Sequence, residues 1–476
     1  MGQAPQQPES TKLMRGLKRL VLVSLVLTGM LASCARQERP MPNVLLLVVD
    51  TLRADHLGSY GSTLALTPHI DRFAAGATVF RNALVQGSNT INSAPSLLAS
   101  VYLSEHGYTN YKLAISEAHL TLAEMFQAGG YETFAVSTNP HVTGRNGLAQ
   151  GFDQFIDNTT WTDTNAHEVN QIFLRWLASR SDERPFFAML WYIEPHVPYD
   201  PPAEQVSRHV PPELQPLVDT TTKRPGHQQL STEQKTVTRA LYRGEVNYFD
   251  DQFGDFIEQL EAREVLEDSL VILTADHGES FWEHLGPDGR PVVGHGSSLY
   301  REEIAVPLIF KWPRGEFRGE IAGRVDSIDI LPTLAAYLGL DEILKIKEQA
   351  RGASLLDLLK GGERPSAYSV SELATDPKGD LTMKLQSIES DEGKLVITHT
   401  YRGKSYQPPM MRLFEVAGAE VEIPAEDERA ARLQAELLAK LRSWKAGLRP
   451  LPPVPREPGD RPDQLKARLE ALGYLN

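Results

Sequence analysis

Cysteine is nearly absent, with Cys34 standing alone among 476 residues. No disulfide can close within the chain, and cysteine usage by itself leaves the redox compartment open. Positive charge is also in deficit, with 48 Lys and Arg against 62 Asp and Glu and a formal charge of −14. A nucleic-acid partner is thereby disfavoured, because phosphate binding needs a dense basic face. A small anionic substrate stays compatible, since one metal ion and a few histidines reverse the potential locally. Repeats and Gln/Asn tracts are missing, and what remains is the composition of a globular protein. The length fits one large α/β domain with a smaller appendage, or two domains.

Near the N terminus, Leu20 to Ser33 is apolar but only about 14 residues long, against the roughly 20 a spanning helix requires. Lys12, Arg15, Lys18 and Arg19 precede it, so the segment reads as a signal sequence. It ends Leu31-Ala32-Ser33-Cys34, which resembles the lipobox of bacterial lipoproteins. Cleavage before Cys34 and a diacylglyceryl group on its sulfur are then expected. Met14 serves as an alternative start, because Met14 to Cys34 is itself a complete signal. Residues 1–33 are read as signal peptide and 34–42 as tether. The expected location is the bacterial cell envelope, membrane-anchored by lipid, in the outer membrane or on the periplasmic face.

Beyond the tether, apolar runs alternate with helical spacing. Asn43–Val49, Thr133–Val136, Phe186–Trp191, Leu270–Leu273 and Pro307–Phe310 read as buried strands. Leu120–Ala128, Ala166–Ala178, Glu233–Arg263 and Ile328–Leu338 read as helices. That alternation predicts an α/β fold, a largely parallel sheet with helices on both faces. After about residue 345 the pattern changes. Lys384–Ile388, Leu395–Thr400 and Met411–Val416 suggest short antiparallel strands, and Ala425–Trp444 a charged amphipathic helix. The expected organisation is 43–345 as the principal domain, 346–445 as a small antiparallel α+β subdomain, and 446–476 as a Pro-rich linker with a terminal helix at Leu465–Tyr474.

Four strands run directly into residues suited to chemistry: Asp50; Asn139 and His141; Glu194 and His196; Asp276 and His277. Ligands of open α/β sheets bind beyond the carboxyl ends of the strands. An acid fixed at such an end offers anionic oxygen to a divalent cation. Adjacent Asp276 and His277 add a carboxylate and an imidazole, and imidazole shifts preference from calcium toward manganese or zinc.

The run from Asn43 through Asp50 to Gly61 resembles the first metal-binding strand of sulfatases, in the alkaline-phosphatase superfamily. Many members carry a second Asp where this chain has Thr51. Thr274-Ala-Asp276-His277-Gly278 resembles the opposing metal motif, in the form found on the phosphonate-hydrolase and phosphoglycerol-transferase side of that superfamily. The resemblance covers about residues 43 to 340. It implies an alkaline-phosphatase-like fold and one divalent ion, manganese or zinc favoured and calcium compatible, held by Asp50, Asp276, His277 and the nucleophile.

Sulfatases carry Cys or Ser in C/S-x-P-S-R, followed by Leu-Leu and His-Gly, and oxidise it to formylglycine. Matching Leu97-Leu98 and His106-Gly107 without a gap puts Thr90 at the nucleophile, Asn92 at the proline and Ala94 at the arginine. Ser93, in Ser93-Ala-Pro95-Ser96, is the alternative nucleophile in another register. Threonine cannot become formylglycine, so the elimination route for sulfate release is closed and phosphate esters or diesters gain weight. By the same resemblance His141, His196 and His295 bind the ester or assist its leaving group. Asn139 replaces the family lysine as a substrate-binding group, and Arg53 could reach an anion.

The implied function is metal-dependent hydrolysis of sulfate or phosphate mono- or diesters through a Thr nucleophile, on an anionic ester substrate that includes envelope glycan or lipid as candidates. Alternatives are a phosphoryl head-group transferase of the envelope and a catalytically inactive binding lipoprotein of the same fold.

Overall fold

Parallel strands dominate the centre of the molecule because the apolar runs are long, branched and buried on both faces. In the computed structural model, the residues described are 41–455, except 65, 158–164, 182, 226–228, 343, 364–365, 377–380 and 417–419. Cys34 with its signal sequence, and the expected terminal helix Leu465–Tyr474, lie outside them. No helix among the described residues is long and apolar enough to cross a membrane.

Asn43–Val49 sits mid-sheet, parallel to Phe186–Tyr192 on one side and to Ser269–Thr274 on the other. Glu132–Ser137 and Gln154–Asp157 extend the parallel run outward. On the opposite flank, Leu308–Lys311 lies antiparallel to both Ser269–Thr274 and Thr78–Leu84. Gly319–Asp326 then pairs parallel with Thr78–Leu84. The apolar run at 307–310 is therefore a strand, but of reversed direction.

The helices fall close to their expected places, at Leu122–Ala128, Ala166–Ser179, Thr232–Ala262 and Ile330–Leu338. The 31-residue helix Thr232–Ala262 packs Phe249, Phe253 and Phe256 against the core. Near its middle it sends the Tyr242 hydroxyl to the loop after Asn43–Val49.

The C-terminal portion forms a five-stranded antiparallel sheet from Ser369–Thr375 to Val421–Glu422, covered by the helix Ala430–Ala446. Its first strand is tied into the principal sheet region. Glu372 N–H donates to the Gln86 carbonyl at 2.9 Å and Ser371 Oγ to the Val85 carbonyl at 2.7 Å. The side-chain amide of Asn92 pairs reciprocally with the backbone of Ala374, both bonds at 3.1 Å.

Candidate functional site

Strand register sets the first part of the site. Val48 lies opposite Thr274 and Val49 opposite Tyr192, so the strands deliver Asp50 and Asp276 side by side at their carboxyl ends. Thr51 then turns the chain with φ 57°. A β-branched residue in that left-handed region is strained, and such strain clusters at functional sites. The turn is held on two sides. The Thr51 N–H donates to the Asp276 carboxylate, and its carbonyl accepts the Tyr242 hydroxyl at 2.7 Å.

Thr90 is the first residue of the helix Thr90–Ala99, capped by the Asn89 side chain, which accepts from Asn92 N–H at 2.9 Å. Its Oγ1 lies 3.4 Å from His277 Nε2 and accepts from Asn139 Nδ2 at 3.1 Å; it also bonds Asp276. Asn139 Nδ2 donates to Asp50 as well. The Asn139 amide is therefore directed at the carboxylate and the hydroxyl themselves. Ser93, the other hydroxyl considered, donates to the Asn89 carbonyl at 2.9 Å within its own helix.

Asp50, Asp276 and His277 are wholly buried, with ligand atoms within 4.8 Å of one another. His277 Nδ1 donates to the Gly278 carbonyl at 2.9 Å, which leaves Nε2 with its lone pair. That atom faces Asp50 Oδ1 at 3.6 Å and Asp276 Oδ2 at 3.5 Å, and neither oxygen has a hydrogen-bond partner. Burial, then repulsion from Asp276, pushes the Asp50 carboxyl well above its ordinary value. Burial lifts Asp276 to about 7, against the opposing bond from Thr90. Burial and the neighbouring His295 hold His277 well below its usual value, hence neutral. Two buried carboxylates and the lone pair of a neutral imidazole thus converge on one point. Orphaned buried acceptors of this kind fit a cation, and Asp50, Asp276 and His277 could hold a divalent one.

Around this cluster stand the expected histidines. The rings of His277 and His295 lie 4.6 Å apart, and those of His295 and His196 4.9 Å. His141 is close enough to His196 to influence its charge. Burial, then the repulsive neighbour His295, holds His196 well below its ordinary value. Burial also works against charge on His295, but the Glu279 carboxylate outweighs it and the net displacement is upward.

Glu279 is the residue that sequence reasoning passed over. It is fully buried and meets His295 Nδ1 at 3.0 Å, fixing the ring so that Nε2 lies on the opposite side. A carboxylate just beyond the Asp276-His277-Gly278 run was the available signal. Arg53 is instead engaged on the protein side. It binds Asp55 at 2.9 and 2.7 Å, Glu283 at 2.7 Å and the Glu279 carbonyl at 2.9 Å. His106, read as structural, is buried and pushed down to about 3 by burial, with Nε2 near the Asn92 carbonyl.

Known proteins resemble this chain in sequence and in fold. The family model described as Sulfatase matches residues 42–340. The chain is similar to an arylsulfatase of Clostridium perfringens, 23% identical over 69% of this chain and 80% of that protein. It is also similar to an ulvan-active sulfatase of Formosa agariphila, 26% identical over 71% of this chain and 70% of its counterpart. Among solved structures, a phosphonate monoester hydrolase of Agrobacterium radiobacter superposes with a TM-score of 0.64 at 20% identity, covering 88% of this chain and all of that one.

Proposed function

The chain belongs to the sulfatase family and is a hydrolase acting on ester bonds, and from that premise we propose that it cleaves sulfate or phosphate mono- or diesters with Thr90 as nucleophile. The carrying observation is the Thr90 hydroxyl lying among Asp276, His277 and Asn139. Asp50, Asp276 and His277 would hold a divalent cation, manganese or zinc favoured by the imidazole, whose charge would lower the pKa of the Thr90 hydroxyl.

Thr90 gives its hydroxyl proton to the hydrogen-bonded Asp276 carboxylate as Oγ1 attacks sulfur or phosphorus in line, and the bond from that centre to the alcohol oxygen breaks. His295, held by Glu279 through Nδ1, gives the departing oxygen its proton from Nε2. His141 and His196 contact the anionic oxygens or the leaving oxygen. Asn139 holds the hydroxyl in line. Water then attacks the sulfur or phosphorus of the Thr90 ester and gives a proton to His295, while the bond to Oγ1 breaks and Asp276 returns its proton to the Thr90 hydroxyl. A phospho-threonine is open to that second attack, whereas a sulfo-threonine lacks the elimination that serves formylglycine. Phosphate esters and diesters are favoured accordingly.

Nitrophenyl phosphate, phosphodiester and sulfate substrates test this reading with wild type, Thr90→Ala and Ser93→Ala. Thr90→Ala loses about a thousandfold or more in kcat, and Ser93→Ala retains turnover. Equal rates in wild type and Thr90→Ala remove Thr90 from the mechanism.

We also propose that Cys34 carries the lipid anchor, on the strength of the signal-like segment before it. Incorporation of labelled palmitate that survives Cys34→Ala would overturn this assignment.

A further inference from the structure

Arg224 stands apart from the other cations near the site. Arg53 is bound by Asp55 and Glu283, and Lys223 by Asp200 at 2.7 Å. Arg224 is only partly buried, and among the described residues its guanidinium has neither a carboxylate nor a hydrogen-bond acceptor. Its backbone, in contrast, is firmly set. The short helix Thr220–Lys223 is capped by Asp219, and Arg224 N–H closes it on the Thr220 carbonyl at 3.0 Å. Pro225 follows, which restricts the backbone of the residue before it.

This frame is bonded to the loop that carries His196. Tyr199 N–H donates to the Lys223 carbonyl at 2.9 Å, and His196 begins the same turn through its bond to Ile193. Thr238, on the long helix, holds the Thr222 carbonyl at 3.0 Å. Arg224 therefore projects from a rigid support beside His196. Its charge is felt there, adding to the influences that keep the His196 imidazole neutral. His196 touches His295, and His295 in turn touches His277 and the Thr90 cluster. Arg224 therefore adds a positive charge at the His196 end of this row of rings, the end farthest from Thr90. Two positions where the family resemblance expects a cation hold Ala94 and Asn139, so recognition of negative charge falls to another element.

We propose that Arg224 is a specificity residue that recognises a second negative charge, a carboxylate or a further sulfate or phosphate, on the alcohol portion of the substrate. This rests on the ester-hydrolase reading for its location. A guanidinium suits the task because its planar fork meets such groups with two parallel hydrogen bonds.

The test compares metal-loaded wild type, Arg224→Ala, Arg224→Lys and Lys223→Ala on three nitrophenyl esters of one reacting group: unsubstituted, ring-carboxylated and ring-sulfated. The preference of wild type for a charged ring, expressed as a ratio of kcat/KM values, falls about tenfold in Arg224→Ala. The fall appears in KM, is partly restored in Arg224→Lys and is absent in Lys223→Ala. Carboxylated and sulfated rings separate the two sources of charge. Calorimetric binding of the same esters to Thr90→Ala and to Thr90→Ala/Arg224→Ala repeats the comparison without turnover. An unchanged ratio, or equal affinities with and without Arg224, overturns the proposal. A binding contrast that survives while wild type hydrolyses none of the esters keeps Arg224 and removes the hydrolase reading.

Discussion

Among the described residues, two clusters bring a pair of carboxylates and an imidazole within 4.8 Å: Asp50, Asp276 and His277, and His69, Asp250 and Asp251. By residue type they are the same. They differ in what their oxygens already do. Asp250 receives His69 N–H at 3.2 Å and Ile70 N–H at 2.8 Å, so it serves the first turn of the helix Pro68–Ala75. Asp251 accepts from Gln205 at 2.9 Å. In the first cluster Asp50 Oδ1 and Asp276 Oδ2 accept no hydrogen bond. Ligating capacity lies in unused lone pairs held out of water, not in the kind of residue.

The comparison can be broken most directly by activity. Asp276→Asn is expected to lower turnover of a nitrophenyl ester by about a thousandfold or more, and Asp251→Asn to stay within about twofold of wild type. A comparable loss in both would erase the distinction. Metal content gives the next contrast. Equilibrium dialysis against manganese or zinc should find about one tightly held ion per chain, lost in Asp50→Ala and kept in His69→Ala.

Acidity separates the clusters further. Asp276 titrates at about 7 when folded and Asp250 at about 6, both above the unfolded carboxyl value. Each raised group contributes stability that is fully present below its unfolded pKa and lost as pH rises through its folded one. The unfolding free energy of metal-free protein, read from denaturant melts, should therefore fall from roughly pH 4 to 7, by up to about 1.4 kcal/mol per pH unit for each such group. Divalent metal should flatten the part owed to Asp276 and leave the part owed to Asp250. The smallest effect is local: Asp250→Ala should cost about 1–2 kcal/mol of stability through the lost helix cap, with metal content unchanged.

The strand ends were legible because a buried strand announces itself by its apolar run, and the residue that follows is then positioned by the sheet. Asp50, Asp276 and His277 could be found that way. Direction was not legible at Leu308–Lys311, since an antiparallel strand buried on both faces has the same composition as a parallel one. Thr78–Leu84 escaped notice because Arg81 and Asn82 interrupt its apolar character while its ends are buried. Asn139 was found as a substrate-binding candidate, but that its amide also meets Asp50 and Thr90 was not legible. Glu279 and Arg224 depend on partners brought in by tertiary structure, His295 and the His196 loop, and no local spacing encodes those meetings.

The reciprocal amide pairing of Asn92 with Ala374 has a bearing on how this molecule can be altered. A proline in the place of Asn92, as the family motif has it, would offer the edge of the C-terminal sheet no matching donor and acceptor. Chimaeras that exchange only the final hundred or so residues with a proline-bearing relative would join two surfaces cut to different templates. The mismatch would fall two positions from the hydroxyl of Thr90. Transplants should therefore carry the 88–100 segment and the sheet together, as one exchangeable module.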